Sequence, residues 1–219
     1  HTSSPLPSPT LFRSRLPLML GFADDAVGAP QEALSAQQKD KTFNLAFPAS
    51  FCPACGHKIA AWENLPIFSY LLLRGRCSQC GQKIPVLYPL VECVTMLVTI
   101  LAYWRFGATW QFVAAVPFLY ALICIFVFDY KYQIIPDALS QPLLWMGLFA
   151  NSFAVFVNLQ DALYGALAGY LSLWSVYWGV KLIFKLDAMG YGDFKLFAVF
   201  GAWLGWQKLF LLLFLASTL

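Results

Sequence analysis

Charged residues are scarce in this chain of 219 residues, because Asp, Glu, Lys and Arg together make up only 11% of it. Soluble domains carry about 25% charged residues. The sequence also lacks a long basic run and any stretch in which aromatic residues alternate with cations, so no nucleic-acid partner is expected. A glycine-rich loop of the kind that holds nucleotide cofactors is absent as well.

Hydrophobic residues make up 60% of the chain, against roughly 45–50% in soluble domains. A water-soluble core of this size cannot bury that excess, so lipid must cover part of it. We therefore expect an all-α polytopic membrane protein, a helical bundle with a small cytoplasmic zinc-ribbon-like module. Six spans are predicted, of which the third and fifth fall short of the about 20 residues that a span needs: 86–104, 111–128, 142–157, 162–184, 194–206 and one from residue 209 onward.

Composition divides the chain into three predicted parts. Residues 1–42 are expected to be an atypical N-terminal segment, partly disordered, because it begins with a run rich in Ser and Pro. Residues 43–85 are expected to form the cytoplasmic cysteine module, and residues 86–219 the transmembrane domain. Since the chain begins at His1 and ends within an apolar run, we expect a fragment whose last span is truncated.

Four of the six cysteines form two CxxC pairs, which predict a metal site. Four thiolates make a closed tetrahedral site for structural Zn²⁺ and leave no coordination position open for catalysis. A redox dithiol pair is the alternative. Metal binding would supply the folding free energy that so small a module lacks. The predicted ligands are Cys52, Cys55, Cys77 and Cys80.

Two carboxylates stand at the ends of apolar runs, where a charge needs a partner or a wet cavity. Asp129 directly follows an apolar stretch, and Asp193 follows the flexible pair Gly190 and Gly192. Each also has a structural interpretation. Asp129 could be an interfacial carboxylate paired with Lys131, and Asp193 could be the N-cap of a helix. Two close carboxyls that share one proton can instead hydrolyse an amide.

Three further residues near these positions have structural interpretations. Pro136 is expected to end a helix, and Asp137 to cap the next one. Glu92 lies inside the first predicted span and is expected to pair with a cation or a backbone group at a helix interface. Contact with a substrate or cofactor is the alternative for Glu92.

The distribution of cations orients the predicted spans. Segments on the side of the cysteine module carry most of the Lys and Arg residues, which makes that side cytoplasmic by the positive-inside rule. Two spans separate Asp129 from Asp193, and this even number places both on the cytoplasmic face. The cations assigned to that face are Lys58, Arg74, Arg76, Lys83, Lys131, Lys181, Lys185 and Lys195, against Arg105 and Lys208 outside.

Several motifs resemble those of the type IV prepilin peptidases, membrane aspartic peptidases of the GxGD class, over the chain from about residue 43 to its end. Two segments, 128–137 and 189–196, are similar to the parts of the family that carry its aspartates. Other matching segments, in the family's order, are 47–48, 52–57, 61–66, 73–77, 88–92 and 201–206.

The resemblance implies that Asp129 and Asp193 are the catalytic aspartates, with Gly190, Gly192 and Lys195 in support. It further implies cleavage of the basic leader of prepilins or pseudopilins after a glycine, at the bacterial inner membrane. Many members then methylate the new N-terminal residue with S-adenosylmethionine, and the family associates the cysteine module with that step.

The chain departs from the family pattern at its N-terminal side, where only 15–17 resemble the end of the family's first span. Leu87 stands where a basic residue is expected, and the family's C-terminal spans are missing.

Two other functions are considered as alternatives to a peptidase. A proton-coupled transporter would use the aspartates as a relay, and a zinc-ribbon scaffold of a secretion apparatus would need the cysteines alone.

Overall fold

The computed structural model describes residues 68–185 and 190–218 together with Cys52 and Cys55. Predictions that fall on 1–51, 53–54, 56–67, 186–189 or 219, which include the N-terminal segment and His57, lie outside the described residues. The chain forms two compact units, 1–98 and 99–219.

The described residues are mostly helical, and the pairing of extended backbone among them is confined to one antiparallel bridge between Arg76 and Lys83. An all-α fold is therefore confirmed for this part of the chain. The helices are α1 (Phe68–Leu72), α2 (Leu87–Phe106), α3 (Trp110–Tyr132), α4 (Asp137–Ser152), α5 (Leu159–Phe184), α6 (Tyr191–Leu204) and α7 (Leu209–Thr218), with a 3₁₀ turn at Trp206–Lys208.

Three of the described helices are long and apolar enough to cross a membrane: Pro89–Phe106 of α2, all of α3 and all of α5. The other predicted spans correspond to α4, α6 and α7, which have 16, 14 and 10 residues. Large apolar side chains cover the outside of the helices, and Trp104 is 85% exposed. A water-soluble surface rarely carries so much apolar area, whereas lipid would cover it.

Helices α5 and α6 pack at backbone distance because glycines face each other across their contact. A Cβ atom added at Gly165 would meet the carbonyl group of Gly201, and one at Gly169 would lie 2.7 Å from the carbonyl oxygen of Phe197. Small residues at such positions let membrane helices approach closely. These close contacts fix the position of α6 along the axis of α5.

The core of the second unit lies between α3, α4, α5 and α6 and centres on Trp203. This indole is 1% exposed, stacks on Phe118 at 4.4 Å between ring centroids, and donates to the carbonyl oxygen of Leu143 over 2.9 Å. Gly147 makes room for it, because a Cβ atom there would lie 2.5 Å from the indole. Trp203 thus locks the end of α6 against α4.

Asn151 adds a buried polar contact at the same end of α6. Its amide nitrogen donates to the carbonyl oxygens of Ala202 and Trp203 at 2.8 and 3.2 Å. Its amide oxygen accepts from the backbone N–H groups of Phe156 and Val157 at 3.0 and 3.2 Å. Because the last carbonyls of a helix have no partner within it, Asn151 supplies what α6 lacks.

Candidate active site and metal centre

Asp129 lies in the last turn of α3, at an exposed position. The helix ends at Tyr132, since Gln133 takes a left-handed conformation with φ 54°. Both the backbone N–H of Gln133 and its side-chain amide donate to the carbonyl oxygen of Asp129, over 2.8 and 2.9 Å. That Gln133 ends α3 in this way was not predicted from the sequence. The only signal for it is a polar residue just after an apolar run, which is a weak one.

Pro136 precedes α4 and stands at its N-cap position, with φ −72° and ψ 128°. The expectation that Pro136 itself ends α3 is wrong, because the helix has already ended at Tyr132. Asp137 is the first residue of α4 and makes no side-chain capping hydrogen bond, so its interpretation as an N-cap is wrong as well.

Asp193 lies in the first turn of α6, which begins at Tyr191 with Gly190 at the N-cap position. The N-cap interpretation of Asp193 is therefore wrong too. Its backbone N–H donates to the carbonyl oxygen of Gly190 over 3.2 Å, and no side chain caps the helix. The carboxyl group is half-buried and accepts a hydrogen bond from the backbone of Gly190.

Two contacts join the segment after Asp129 to the first turn of α6. The Lys195 ammonium donates to both carboxylate oxygens of Asp137, each at 2.7 Å. A Cβ atom at Gly192 would lie only 2.8 Å from that of Ile135, so Gly192 is needed for this approach. The predicted supporting residues Asp137 and Lys195 therefore contact each other, and Gly192 contacts the segment before Asp137. No spacing rule indicates which partners they take.

Asp129 and Asp193 are close enough to interact electrostatically. Partial burial raises the pKa of Asp193 above its ordinary value, and the negative charge of Asp129 raises it further. The backbone hydrogen bond at Gly190 opposes this increase. Burial and the neighbouring charge both favour the protonated form of Asp193, and two carboxyls that interact in this way can share one proton.

The four cysteines predicted as ligands come together. Their Sγ atoms all lie within 4.8 Å of one another, and those of Cys52 and Cys80 are 3.8 Å apart. A tetrahedral zinc site with bonds of about 2.3 Å places its sulfurs about 3.8 Å apart. The residues present therefore fit a Cys₄ metal site, and all six cysteines are free thiols.

The backbone around the second CxxC pair prepares its thiols for a metal. Gly81 takes φ +68°, and its N–H donates to the carbonyl oxygen of Cys77 over 3.1 Å. The backbone N–H of Cys80 lowers the pKa of Cys77 to about 7, although burial opposes the effect. Because metals bind the thiolate form, a tight turn of this kind favours binding.

Glu92 lies in the second turn of α2 and is partly buried. Its backbone carbonyl accepts a hydrogen bond from the Thr95 hydroxyl over 2.9 Å. The role of its carboxylate stays a prediction.

A proton relay across a membrane would need carboxylates near the middle of the spanning helices. Asp129 and Asp193 instead stand in the last turn of α3 and the first turn of α6. Their positions favour chemistry at the membrane surface over conduction through it.

Comparison with known proteins shows that two family models match consecutive parts of the chain. Residues 11–106 match the family model described as the bacterial peptidase A24 N-terminal domain. Residues 116–219 match that of the type IV leader peptidase family. No solved structure gives a significant match.

Curated relatives are similar over most of the chain. A prepilin leader peptidase/N-methyltransferase of Pseudomonas putida is 48% identical over 210 residues, which are 94% of this chain and 71% of the relative. The protein of the same name from Pseudomonas aeruginosa is 48% identical over 203 residues, 93% of this chain and 70% of the relative. One from Stutzerimonas stutzeri is 46% identical, with the same two shares.

Proposed function

The chain belongs to the type IV leader peptidase family, and from that premise we propose that Asp129 and Asp193 are the catalytic pair of a membrane aspartic endopeptidase. The substrate is a prepilin or pseudopilin, whose basic leader is removed after a glycine. The observation that carries this proposal is the close approach of Gly192 to Ile135. It brings the first turn of α6, which bears Asp193, to the segment that follows Asp129.

The different surroundings of the two carboxyls assign their roles. Asp129 is exposed and acts as the base, which takes a proton from the attacking water. Asp193 is half-buried and its pKa is raised, which favours its protonated form, and in this proposal it donates a proton to the oxygen of the scissile carbonyl. The water oxygen bonds to the carbonyl carbon. When the C–N bond breaks, the proton held by Asp129 passes to the leaving amine, and one hydroxyl proton of the intermediate returns to Asp193.

We further propose that the four cysteines hold one structural Zn²⁺. Cys52, Cys55, Cys77 and Cys80 would provide its four thiolates, and the fit of their mutual distances to a tetrahedron supports this. Such a site fills the coordination shell and folds the module around it. A redox dithiol pair does not require all four sulfurs to converge.

A second activity of this chain is the methylation of the new N-terminal residue, as the names of its relatives indicate. S-adenosylmethionine would supply the methyl group. No residue of this chain is assigned to it, since the sequence has no glycine-rich nucleotide loop.

The protein would reside in the bacterial inner membrane, with the aspartates and the cysteine module on the cytoplasmic side. The excess of Lys and Arg in the segments on that side supports this orientation. A leader that carries positive charge would then meet the acidic pair without crossing the membrane.

The test incubates membranes that contain the protein with a prepilin and labelled S-adenosylmethionine. Asp129→Asn and Asp193→Asn should each reduce cleavage by at least about 10²-fold, the usual contribution of acid–base catalysis. Methyl transfer to a pilin supplied without its leader should persist in both variants, which shows that they are folded.

Asp161→Asn is the matched control. This carboxylate stands in the first turn of α5, where it accepts a hydrogen bond from the Trp206 indole over 3.0 Å. Its removal should leave cleavage unchanged. Full cleavage by either Asp129→Asn or Asp193→Asn would refute the assignment.

A further inference from the structure

A hydrogen-bonded trio joins the end of α5 to the start of α6. Lys181 Nζ donates to the Tyr177 hydroxyl over 2.9 Å, and that hydroxyl lies 3.2 Å from the hydroxyl of Tyr191. Tyr177 is 3% exposed, whereas Tyr191 is 59% exposed. The trio ends two residues before Asp193.

Two hydrogen bonds link the three groups. An ammonium group can only donate, so Lys181 occupies a lone pair of the Tyr177 oxygen. Between the two hydroxyls either oxygen can be the donor, and the bond joins Tyr177 to Tyr191 in both cases. Lys181 also lies over the Tyr177 ring, 5.2 Å from its centroid, and hydrogen bonds assisted by a charge are the stronger kind.

The rings of the same residues pack around Phe194, which is 0% exposed. Ring centroids of Tyr177 and Tyr191 lie 5.5 and 5.8 Å from that of Phe194, and 5.4 Å from each other. Packing alone would hold these rings in contact. The hydroxyl pair additionally fixes how the Tyr191 ring is placed along α5.

Contacts with other helices set where the first turn of α6 stands. Gly190 at the cap position provides no side chain for such a contact, and Gly192 lowers the helical preference of the turn. The pair between Lys195 and Asp137 fastens this turn to α4. Tyr191 fastens it to α5 through Tyr177.

We propose that Tyr177, together with Lys181, is a positioning residue of the peptidase: its hydroxyl holds Tyr191 and thereby sets where Asp193 stands relative to Asp129. This inference rests on the proposed function of the two aspartates. Tyr177 does not touch the substrate in this account, and acts only through the first turn of α6.

The test measures kcat and KM for prepilin cleavage by the purified protein. Tyr177→Phe keeps the ring and removes the hydroxyl, and should lower kcat about tenfold with KM within about twofold, since misplaced catalytic groups slow the chemical step. Tyr191→Phe should do the same, and the double variant should lose no more than either single one. Lys181→Met should lower kcat in the same way, whereas Lys181→Arg should retain it.

Tyr170→Phe is the control, because this residue of α5 also packs its ring on Phe194, at 6.2 Å between centroids. Its kcat should equal that of the wild type. A wild-type kcat for Tyr177→Phe would overturn the inference. An equal loss of methyl transfer to pre-cleaved pilin would do so too, because it would indicate a general loss of folded protein. Failure of the wild type itself to cleave prepilin would instead overturn the proposed function.

Discussion

At the scale of single residues, two identical carboxyl groups differ because the fold surrounds them differently. Asp193 is half-buried and Asp129 is exposed. Burial disfavours the charged form of an acid, and a neighbouring negative charge does the same. Both effects act on Asp193, so the structure gives the two carboxyls different surroundings where the sequence shows only two aspartates.

The raised pKa of Asp193 predicts how stability depends on pH. A carboxyl whose pKa is raised by folding contributes stability that is full below its ordinary pKa of 3.8 and is lost as pH rises through the raised value. In Asp193→Asn this loss should be absent. Thermal unfolding of the purified protein across that pH range measures it.

Asp129→Asn is the comparison for this measurement. It removes the charge that contributes to the shift and keeps the burial of Asp193, so the loss of stability should be smaller and should be complete at a lower pH than in the wild type. Identical profiles for the wild type and both variants would contradict the electrostatic contact.

Lys195 and Asp137 provide a second prediction at this scale. Their side chains are 30% and 61% exposed, so the ion pair should contribute only about 0–1 kcal/mol to stability. Its effect on activity should be larger, because it fastens the turn that carries Asp193. Lys195→Met should lower cleavage about tenfold with little change in thermal stability.

The exchanged pair Asp137→Lys with Lys195→Asp should recover part of that activity, since it restores the attraction with the charges reversed. Equal activity of Lys195→Met and the wild type would show that the pair does not position α6.

At the scale of elements, the apolar runs locate the helices well and their ends less well. The third run was expected to begin at Pro142, whereas α4 begins at Asp137 and contains that proline. Likewise α3 contains Pro117. Neighbouring helices let membrane helices tolerate proline inside, so proline is a poor marker of helix ends in this setting.

The contact between α5 and α6 gives a prediction with an internal control. Gly201→Ala would place a Cβ atom against the backbone of Gly165 and should destabilise the protein by about 1–3 kcal/mol, as overpacking does. Gly179→Ala lies on α5 with no atom within 4 Å of the new Cβ. That variant should gain up to about 1 kcal/mol, because alanine favours a helix over glycine.

Thermal unfolding in detergent compares the two variants with the wild type. Equal melting temperatures for Gly201→Ala and Gly179→Ala would contradict the close approach of the two helices.

At the scale of the whole molecule, two compact units have different sources of stability. The second unit has a buried core around Trp203, whereas four cysteine thiols meet in the described part of the first. The predicted cysteine module, residues 43–85, is too small to be stabilised by an apolar core alone. Metal ligation is therefore expected to decide whether this module folds.

The metal prediction can be checked by elemental analysis of the purified protein. It should contain about one zinc per chain, the stoichiometry of a Cys₄ site. Cys80→Ser should lose the metal and make the first unit sensitive to protease. Cys93→Ser, which changes an exposed cysteine of α2, should retain both metal and resistance. Zinc bound equally by the two variants would argue against ligation by these four thiols.

The sequence alone determined the membrane setting, the six helical runs and the set of four cysteines that meet, and it singled out the two aspartates. These features depend on composition or on short spacings, from which a lipid environment and a possible metal site can be predicted. The family resemblance, confirmed by the comparisons, added the peptidase and methyltransferase activities.

Only the tertiary structure decided which distant groups meet. Gly192 against Ile135, Lys195 on Asp137 and Tyr177 beside Tyr191 are contacts between separate helices. No local pattern encodes them, because they depend on the position of α6 along the axis of α5. Backbone contacts at glycines set that position. Helix packing therefore brings the two carboxyls together and leaves only one of them half-buried.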